Sequence, residues 1–513
     1  MKIVGISCSP LPQLITELQS LGLRFQGQLL QRRGGAGPAE GGTFLIDGIP
    51  VSLPVSSEYV SQSPYVLREE GGQFLIFKDG KAACPVNFIE RPKFYNRTTE
   101  EGIPYPKIAL LHGKDCLATS VIQICTYWHS NERCRFCGIE LSHRSGQTIK
   151  IKTPAQLSEV ARKAKELDSI QHIVLTTGTV QPPGKEISSL VPCASAIKKA
   201  TGLPIHAQFC PPSDREGLYE LKDAGVDTVG IHIESFDFET LSHIAPAKAA
   251  MGLERYKKAW KMAVEIFGPN QVSSFLIVGL GEKRDSIIQG SKFLADLGVY
   301  PFVVPLRPIP GSIMENILPP DPEEMKRIYE AVACILRKKG LSSFRSLAGC
   351  VRCGACSALP LFEEATDCLI CHPVRTRVEQ ERSFEIRKEV FVLEQRLFSN
   401  SDVDENDAKS IHFAAEWNDE VVGTVRVFPV NHNGHWIGGR LAVRKEFRNT
   451  GAGELLVREA IQCVKNRGCT KFTAHIQLEN APFFSRLGWK TIGQVEDYCG
   501  KPHQLMEANL EDI

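Results

Sequence analysis

The sequence predicts an α/β protein: a partial (β/α)6 barrel followed by a smaller mixed α/β domain. Three observations predict it. Between residues 105 and 345, strand-like runs alternate with amphipathic helical stretches, the pattern of a parallel sheet covered by helices. Cys125, Cys134 and Cys137 stand just past the first of these runs, where α/β folds carry their chemistry. From residue 373 the texture changes to a helix, a hairpin and a glycine-rich turn.

At 513 residues the chain exceeds one domain, and length alone suggests about three. Apolar residues make up 42% and charged residues 23%, enough to bury a large core. The net charge of +1 gives no general attraction to nucleic acid or to a membrane surface. No apolar run approaches the ~18 residues of a membrane span, and the run after Lys2 ends at Ser7, too short for a secretion signal. Seventeen cysteines without such a signal point to the reducing cytosol and to metal ligation. Eight of them fall in two tight clusters.

Residues 1–104 read as a small mixed subdomain or lid. A helix-like segment (Pro12 to Leu21) precedes a loop containing Arg32, Arg33, Gly34, Gly35 and Gly37. That loop lacks the flanking strand and helix of a phosphate loop and is expected to be a flexible surface connector. Asp47-Gly48 and Asp79-Gly80 predict hairpins. Strands are expected at 121–125, 172–178, 204–210, 228–234, 272–279 and 301–306. Thr153-Pro154 and Asp321-Pro322 predict helix starts, and Gly202 and Gly340 helix stops.

The first cysteine cluster is spaced C-x8-C-x2-C. Three thiolates hold three irons of a [4Fe–4S] cluster and leave the fourth iron open to a small molecule. A zinc ion with His129 as fourth ligand is the other reading. With Phe136 inside the C-x2-C, the arrangement resembles the radical SAM superfamily, although most members have three residues in the first gap. The resemblance implies S-adenosylmethionine on the open iron, reductive cleavage to a 5′-deoxyadenosyl radical, and hydrogen abstraction from a substrate. It also implies SAM contacts at later strand ends: Gly178 in Thr176-Thr177-Gly178-Thr179, Glu234 after the fourth strand, and Gly279 and Glu282 after the fifth. In that last motif Phe275 replaces a glycine. Arg307-Pro-Ile-Pro-Gly311 resembles biotin-synthase-like members. Tyr127, Trp128 and His129 either line the substrate side or pack over the barrel mouth.

The second cluster, Cys350, Cys353, Cys356, Cys368 and Cys371, occupies a segment expected at 346–372. Two C-x2-C pairs across a short loop are a strong metal signal. They suit a four-cysteine zinc site or, through C-x2-C-x2-C, a second Fe–S cluster. The other cysteines are taken as core or surface thiols.

In residues 373–513, Val374 to Glu379 suggests a strand, Phe384 to Gln395 a helix, and Phe413 to Val427 a hairpin. Val443 ends a strand that leads into Arg448-Asn-Thr-Gly451-Ala-Gly453. Such a turn frees backbone N–H groups for a pyrophosphate. R-x-x-G-x-G, with Asn480…Phe484…Leu487-Gly488-Trp489, resembles the GNAT N-acyltransferases. The resemblance implies acetyl-CoA or another acyl-CoA held by Val443, Arg448, Gly451, Gly453 and Asn480. Many GNAT enzymes have at position 484 a tyrosine that protonates the leaving thiolate, and phenylalanine has no proton to give. Glu416, His435 and His475 are the candidate substitutes.

The two halves together resemble the radical SAM and GNAT proteins found as neighbours in bacterial nitrilase-associated gene clusters, here fused. The resemblance implies a cytoplasmic bifunctional enzyme acting on a small nitrogen-containing substrate with an electron donor such as ferredoxin or flavodoxin. Two alternatives remain open: a radical SAM enzyme with an acyl-CoA sensor domain, and a zinc-bound interaction protein.

Overall fold

A computed structural model describes residues 11–25, 33–35, 41–365, 369–418, 420–430, 434–498 and 500–510. The chain divides into two compact units, Met1–Thr366 and Asp367–Ile513. No helix among the described residues is long and apolar enough to cross a membrane.

In the first unit a helix, Leu11–Leu21, precedes two small antiparallel sheets. One pairs β1 (Gly41–Ile46) with β2 (Ile49–Pro54); the other joins β3 (Tyr65–Glu70), β4 (Gln73–Lys78) and β5 (Lys81–Pro85). The short β6 (Asn87–Phe88) adds to β1. Asp47-Gly48 and Asp79-Gly80 turn the β1–β2 and β4–β5 hairpins with positive φ at both residues, as two-residue hairpin turns require. These sheets share one continuous apolar core with the barrel that follows.

The barrel sheet starts with β7 (Leu110–His112), antiparallel to β8 (Cys116–Ile122). Then come β9 (His172–Thr177), β10 (Ile205–Gln208), β11 (Thr228–Gly230), β12 (Val272–Val278) and β13 (Tyr300–Pro305). β8 to β13 lie parallel in chain order, forming an open six-stranded half barrel. β8 lies upstream of the expected 121–125. Its Thr119 and Ser120 read as polar but are buried, and the Thr119 hydroxyl donates to the Ile108 carbonyl at 2.7 Å. Thr153 and Gln156 cap the helix Pro154–Asp168 reciprocally, and Asp321 caps Pro322–Lys339 through two backbone amides. Gly202 and Gly340 end their helices in left-handed conformations.

Arg33, Gly34 and Gly35 are docked, which corrects the expectation of a free connector. The Gly34 amide donates to the Ser142 hydroxyl at 2.9 Å, and that hydroxyl donates to the Gly34 carbonyl at 2.7 Å. The Arg33 amide donates to Gln147 at 3.0 Å.

The second unit is one seven-stranded sheet. Its strands are β14 (Leu369–Pro373), β15 (Ile411–Trp417), β16 (Glu420–Pro429), β17 (His435–Val443), β18 (Lys471–Gln477), β19 (Trp489–Tyr498) and β20 (Lys501–Ala508). β14 lies upstream of the strand expected at 374–379, where the chain has already entered the helix Arg377–Arg387. Thr376 and Glu379 form a capping box there, and this local cap fixes the helix start. β17 and β18 are parallel and pair only at His435–Ile437, after which they splay.

Candidate functional site

The cluster loop leaves the C-terminal end of β8. The buried Gln123 amide donates to the Ile139 carbonyl at 2.7 Å, and the Glu140 carboxylate accepts the Cys125 amide at 3.2 Å. Together these bonds tie the two ends of the loop. Arg133 lies 3.4 Å over the ring of the buried Trp128 and donates to the Cys137 carbonyl at 3.1 Å. Trp128 therefore packs inside the loop. Phe136 joins an apolar cluster with Ile277, Leu280 and Leu306 at the strand ends. Burial pushes the thiols of Cys134 and Cys137 up, to about 12 and about 11. Ligation would have to displace those protons. His129 is exposed and instead meets Arg144 at 2.8 Å and Glu140 at 3.6 Å. Among the described residues, the sulfurs of Cys125, Cys134 and Cys137 do not all lie within 4.8 Å of one another.

Glu234 follows β11 with φ 74°, a left-handed conformation rare for a carboxylate residue. Its Oε1 accepts from Lys248 Nζ at 2.5 Å, and Lys248 also donates to the His232 carbonyl at 2.7 Å. Its Oε2 is buried without a partner. A strained backbone and an orphaned carboxylate oxygen are what a polar ligand site keeps in reserve. The Gly178 amide donates to the Ile122 carbonyl at 2.8 Å, and a Cβ there would lie 1.9 Å from the Ile124 carbonyl oxygen. Gly178 thus lets the β9 turn seat against the cysteine loop. Glu282 accepts the amides of Gly279 and Leu280, both at 2.9 Å. Burial raises its pKa first, and these bonds oppose that. Its carboxylate shapes the loop that presents Gly279. Phe275, in place of a motif glycine, stacks on His232 with ring centroids 4.3 Å apart.

The described cysteines of the second cluster belong to both units. Cys350, Cys353 and Cys356 gather beside His112, with His112 Nδ1 3.4 Å from Cys353 Sγ and Nε2 3.5 Å from Cys356 Sγ. Cys371 belongs to the other unit, on β14 opposite Ala415, and Cys368 lies outside the described residues. His112 carries no motif of its own in the sequence; only the fold brings it here.

In the second unit the splay of β17 from β18 opens a cavity of about 970 Å³. Val443, Arg448, Gly453 and Asn480 line it. Gly451 is the left-handed cap that starts the helix Ala452–Lys465 beside it. The first amides of such a helix have no intrahelical partner and suit a pyrophosphate. Arg448 pairs with Glu394 through two bonds, at 2.8 and 2.6 Å, and donates to the Val443 carbonyl at 3.1 Å. Of the three acid candidates, His475 lines the cavity. His435 sits where β17 and β18 still pair, 3.0 Å from the Thr473 hydroxyl. Glu416 lies on β15, 3.2 Å from His372, with Glu379 completing a group whose ligand atoms come within 4.8 Å of one another. Tyr498, unmarked by any motif, also lines the cavity. Phe484 is buried against Phe483 and Trp489.

Residues 129–294 match the radical SAM superfamily, and residues 376–489 match the acetyltransferase (GNAT) family. A bacteriochlorophyllide c C-7(1)-hydroxylase of Chlorobaculum limnaeum is 24% identical over 296 residues, 53% of this chain and 73% of that protein. A Bacillus subtilis protein named as an acetyltransferase is 35% identical over 127 residues, 24% of this chain and 85% of that protein. The first family implies SAM and a [4Fe–4S] cluster, and the second implies acyl-CoA. The donor sets fit both: three grouped thiols with an orphaned carboxylate oxygen in one unit, and a splayed cavity at a helix start in the other. The chain is therefore an enzyme that carries a radical SAM domain in its first unit and belongs to the GNAT acetyltransferases through its second.

Proposed function

We propose that the chain is a bifunctional enzyme. The first unit abstracts hydrogen from a small nitrogen-containing substrate, and the second transfers an acyl group from acyl-CoA to an amine. One observation carries the reading: each unit keeps its own open cradle, thiols at the sheet's C-terminal end in one and the β17–β18 splay in the other.

Bound together, the cluster and SAM supply a radical that takes a hydrogen atom from the substrate. Cys125, Cys134 and Cys137 would hold the cluster. Glu234, fixed by Lys248, would offer its free Oε2 to a donor group of SAM. The hydrogen-bonded loop ends and the apolar group around Phe136 keep water from the strand ends. In the second unit, the unpaired edge of β17 beyond Ile437 offers backbone groups to an extended acyl-pantetheine arm. The helix start at Gly451 and the Arg448 guanidinium would meet its phosphates. Tyr498 or His475 would protonate the departing sulfur in place of Phe484. Phe484 also supports a second reading, an acyl-CoA sensor without turnover.

The test is two assays on anaerobically reconstituted protein. Reduced protein should form 5′-deoxyadenosine, and Cys134→Ala should not. Acetyl-CoA with a panel of amines should release free thiol. No 5′-deoxyadenosine from cluster-loaded protein across a substrate panel would overturn the first half. Tight acyl-CoA binding without thiol release across the amine panel would replace the second half with the sensor. Fusion further suggests that one pathway uses both steps.

A further inference from the structure

We propose that the second unit binds one divalent cation, of the Mn²⁺, Fe²⁺ and Zn²⁺ kind, through His372, Glu379 and Glu416. None of the three lines the acyl-CoA cavity. The proposal stands whether or not that cavity turns over a thioester.

The three side chains come from three neighbouring elements. In the β14–β15 pair, Ile370 lies opposite Glu416 and His372 opposite Ala414. Residues two apart share a face, so His372 and Glu416 are diagonal neighbours on one side of the sheet. Ala414, on that side, packs with Ile386 of the helix Arg377–Arg387. The helix therefore covers this side, and Glu379, its third residue, arrives beside the pair. The register shifts between Ala415 and Glu416, a bulge of the kind that re-aims a side chain. Cys371 packs on the opposite side, against the core that holds Ala415 and Leu456, so its thiol stays out of this set.

The bonding around His372 is that of a metal ligand. Its Nδ1 lies 3.1 Å from the Pro373 carbonyl oxygen, which can only accept, so Nδ1 carries a hydrogen. A backbone carbonyl on one ring nitrogen orients a ligand histidine and turns the other nitrogen to the ion. That other nitrogen, Nε2, faces Glu416 Oε1 at 3.2 Å. A lone pair and a carboxylate repel unless a proton or a cation lies between them. Glu379 accepts the Arg375 and Thr376 amides at 2.8 and 3.2 Å. Those bonds, the one from Arg375 first, hold its carboxyl below the ordinary range, so a second carboxylate stands ionised beside the imidazole. A proton on Nε2 offsets one of the two negative charges, and a divalent cation offsets both.

The spacing fits as well. Two ligands about 2.0–2.2 Å from one ion stand roughly 3–3.5 Å from each other, as His372 and Glu416 do. All three ligand atoms lie within 4.8 Å of one another, so a small side-chain adjustment closes the set. An imidazole with two carboxylates selects the first-row ions over Mg²⁺ or Ca²⁺, which take oxygen ligands. The His372 and Glu416 side chains are 23% and 15% exposed, so the ion enters from solvent and keeps water on its remaining positions.

Mn²⁺ is the probe that tests the site, because the soft thiolates of this chain compete for it poorly. Iron-loaded, unreduced full-length protein is titrated with Mn²⁺, and the free ion is read from its EPR signal. One tightly bound Mn²⁺ per chain is expected. Pulsed EPR of the bound ion should show nitrogen modulation that changes when histidine carries the heavier nitrogen isotope. Glu416→Gln and His372→Gln should each abolish the tight binding, and Cys371→Ala should leave it. Tight binding that survives both substitutions overturns the site, and so does bound Mn²⁺ without histidine nitrogen modulation. A wild-type chain that takes up no Mn²⁺ overturns it too. The nitrogen modulation is read on the wild-type chain, so it does not depend on how a variant folds.

Discussion

A methyl group at Gly178 has no space, because the Ile124 carbonyl oxygen lies 1.9 Å from where it would go. Gly178→Ala must therefore push the cysteine loop from its seat. Overpacking of this kind costs typically about 1–3 kcal/mol. We expect a lower melting temperature and substoichiometric iron at the SAM-side site, checked by calorimetry and iron assay. Lys248 and Glu234 make a largely buried ion pair. Removing the cation alone strands a carboxylate, at about 3–5 kcal/mol for a fully buried pair. Lys248→Met should be destabilising by a value toward that range in denaturant melts, and Lys248→Met with Glu234→Gln should recover part of the loss. Cys125, Cys134 and Cys137 are legible in the sequence because ligand type and spacing are local facts. Gly178 is legible as a turn glycine, but the carbonyl it accommodates, that of Ile124, lies in the loop after another strand. Tyr498 has no motif and joins the cavity only once the seven-stranded sheet has formed.

The helix Arg377–Arg387 packs Ile386 against Ala414, Val421 and Ala442 of the sheet and adds a buried charge, Arg387. Arg387 is fully buried and pairs with Asp402 at 2.8 Å and Asp407 at 2.6 Å, and Arg426 of β16 also meets Asp407, at 2.7 Å. Burial alone would raise the Asp407 pKa. The hydrogen bonds from Arg387 and Arg426 outweigh it and hold the carboxyl well below its ordinary range. Its contribution to stability is complete above the unfolded carboxylate pKa, about 4, and is lost as pH falls below that value toward the depressed folded pKa. Acid melts followed by tryptophan fluorescence should show this unit losing stability below about pH 4. Asp407→Asn should flatten that dependence while lowering stability at neutral pH. Beyond the C-terminal end of that helix, in the segment Lys388–Glu394, Glu394 holds Arg448 against the cavity. A charge-assisted bond contributes about 1.5–3 kcal/mol. Arg448→Ala should thus weaken CoA binding roughly tenfold or more by calorimetric titration. Tyr498→Phe should lower the rate of thiol release with CoA affinity unchanged if that hydroxyl is the acid. An unchanged rate would turn attention to His475.

Each unit carries its own core and its own cradle. Cys134→Ala should abolish 5′-deoxyadenosine formation and leave thiol release intact, and Arg448→Ala should do the reverse. A fall of both activities in either variant would mean that the sites are coupled. The two chemistries are legible from the chain itself. Thiol spacing, an R-x-x-G-x-G turn before a helix, and the alternation of strand and helix all act within a few residues, where propensity and ligand chemistry decide. Assembly over long separations is not written locally. His112 and Cys353 are 241 residues apart. Cys350, Cys353 and Cys356 fall in one unit, on a short helix and the turn after it, and Cys371 on a strand of the other. Pairing and burial over such distances set those outcomes, and they exist only once the chain has closed on itself.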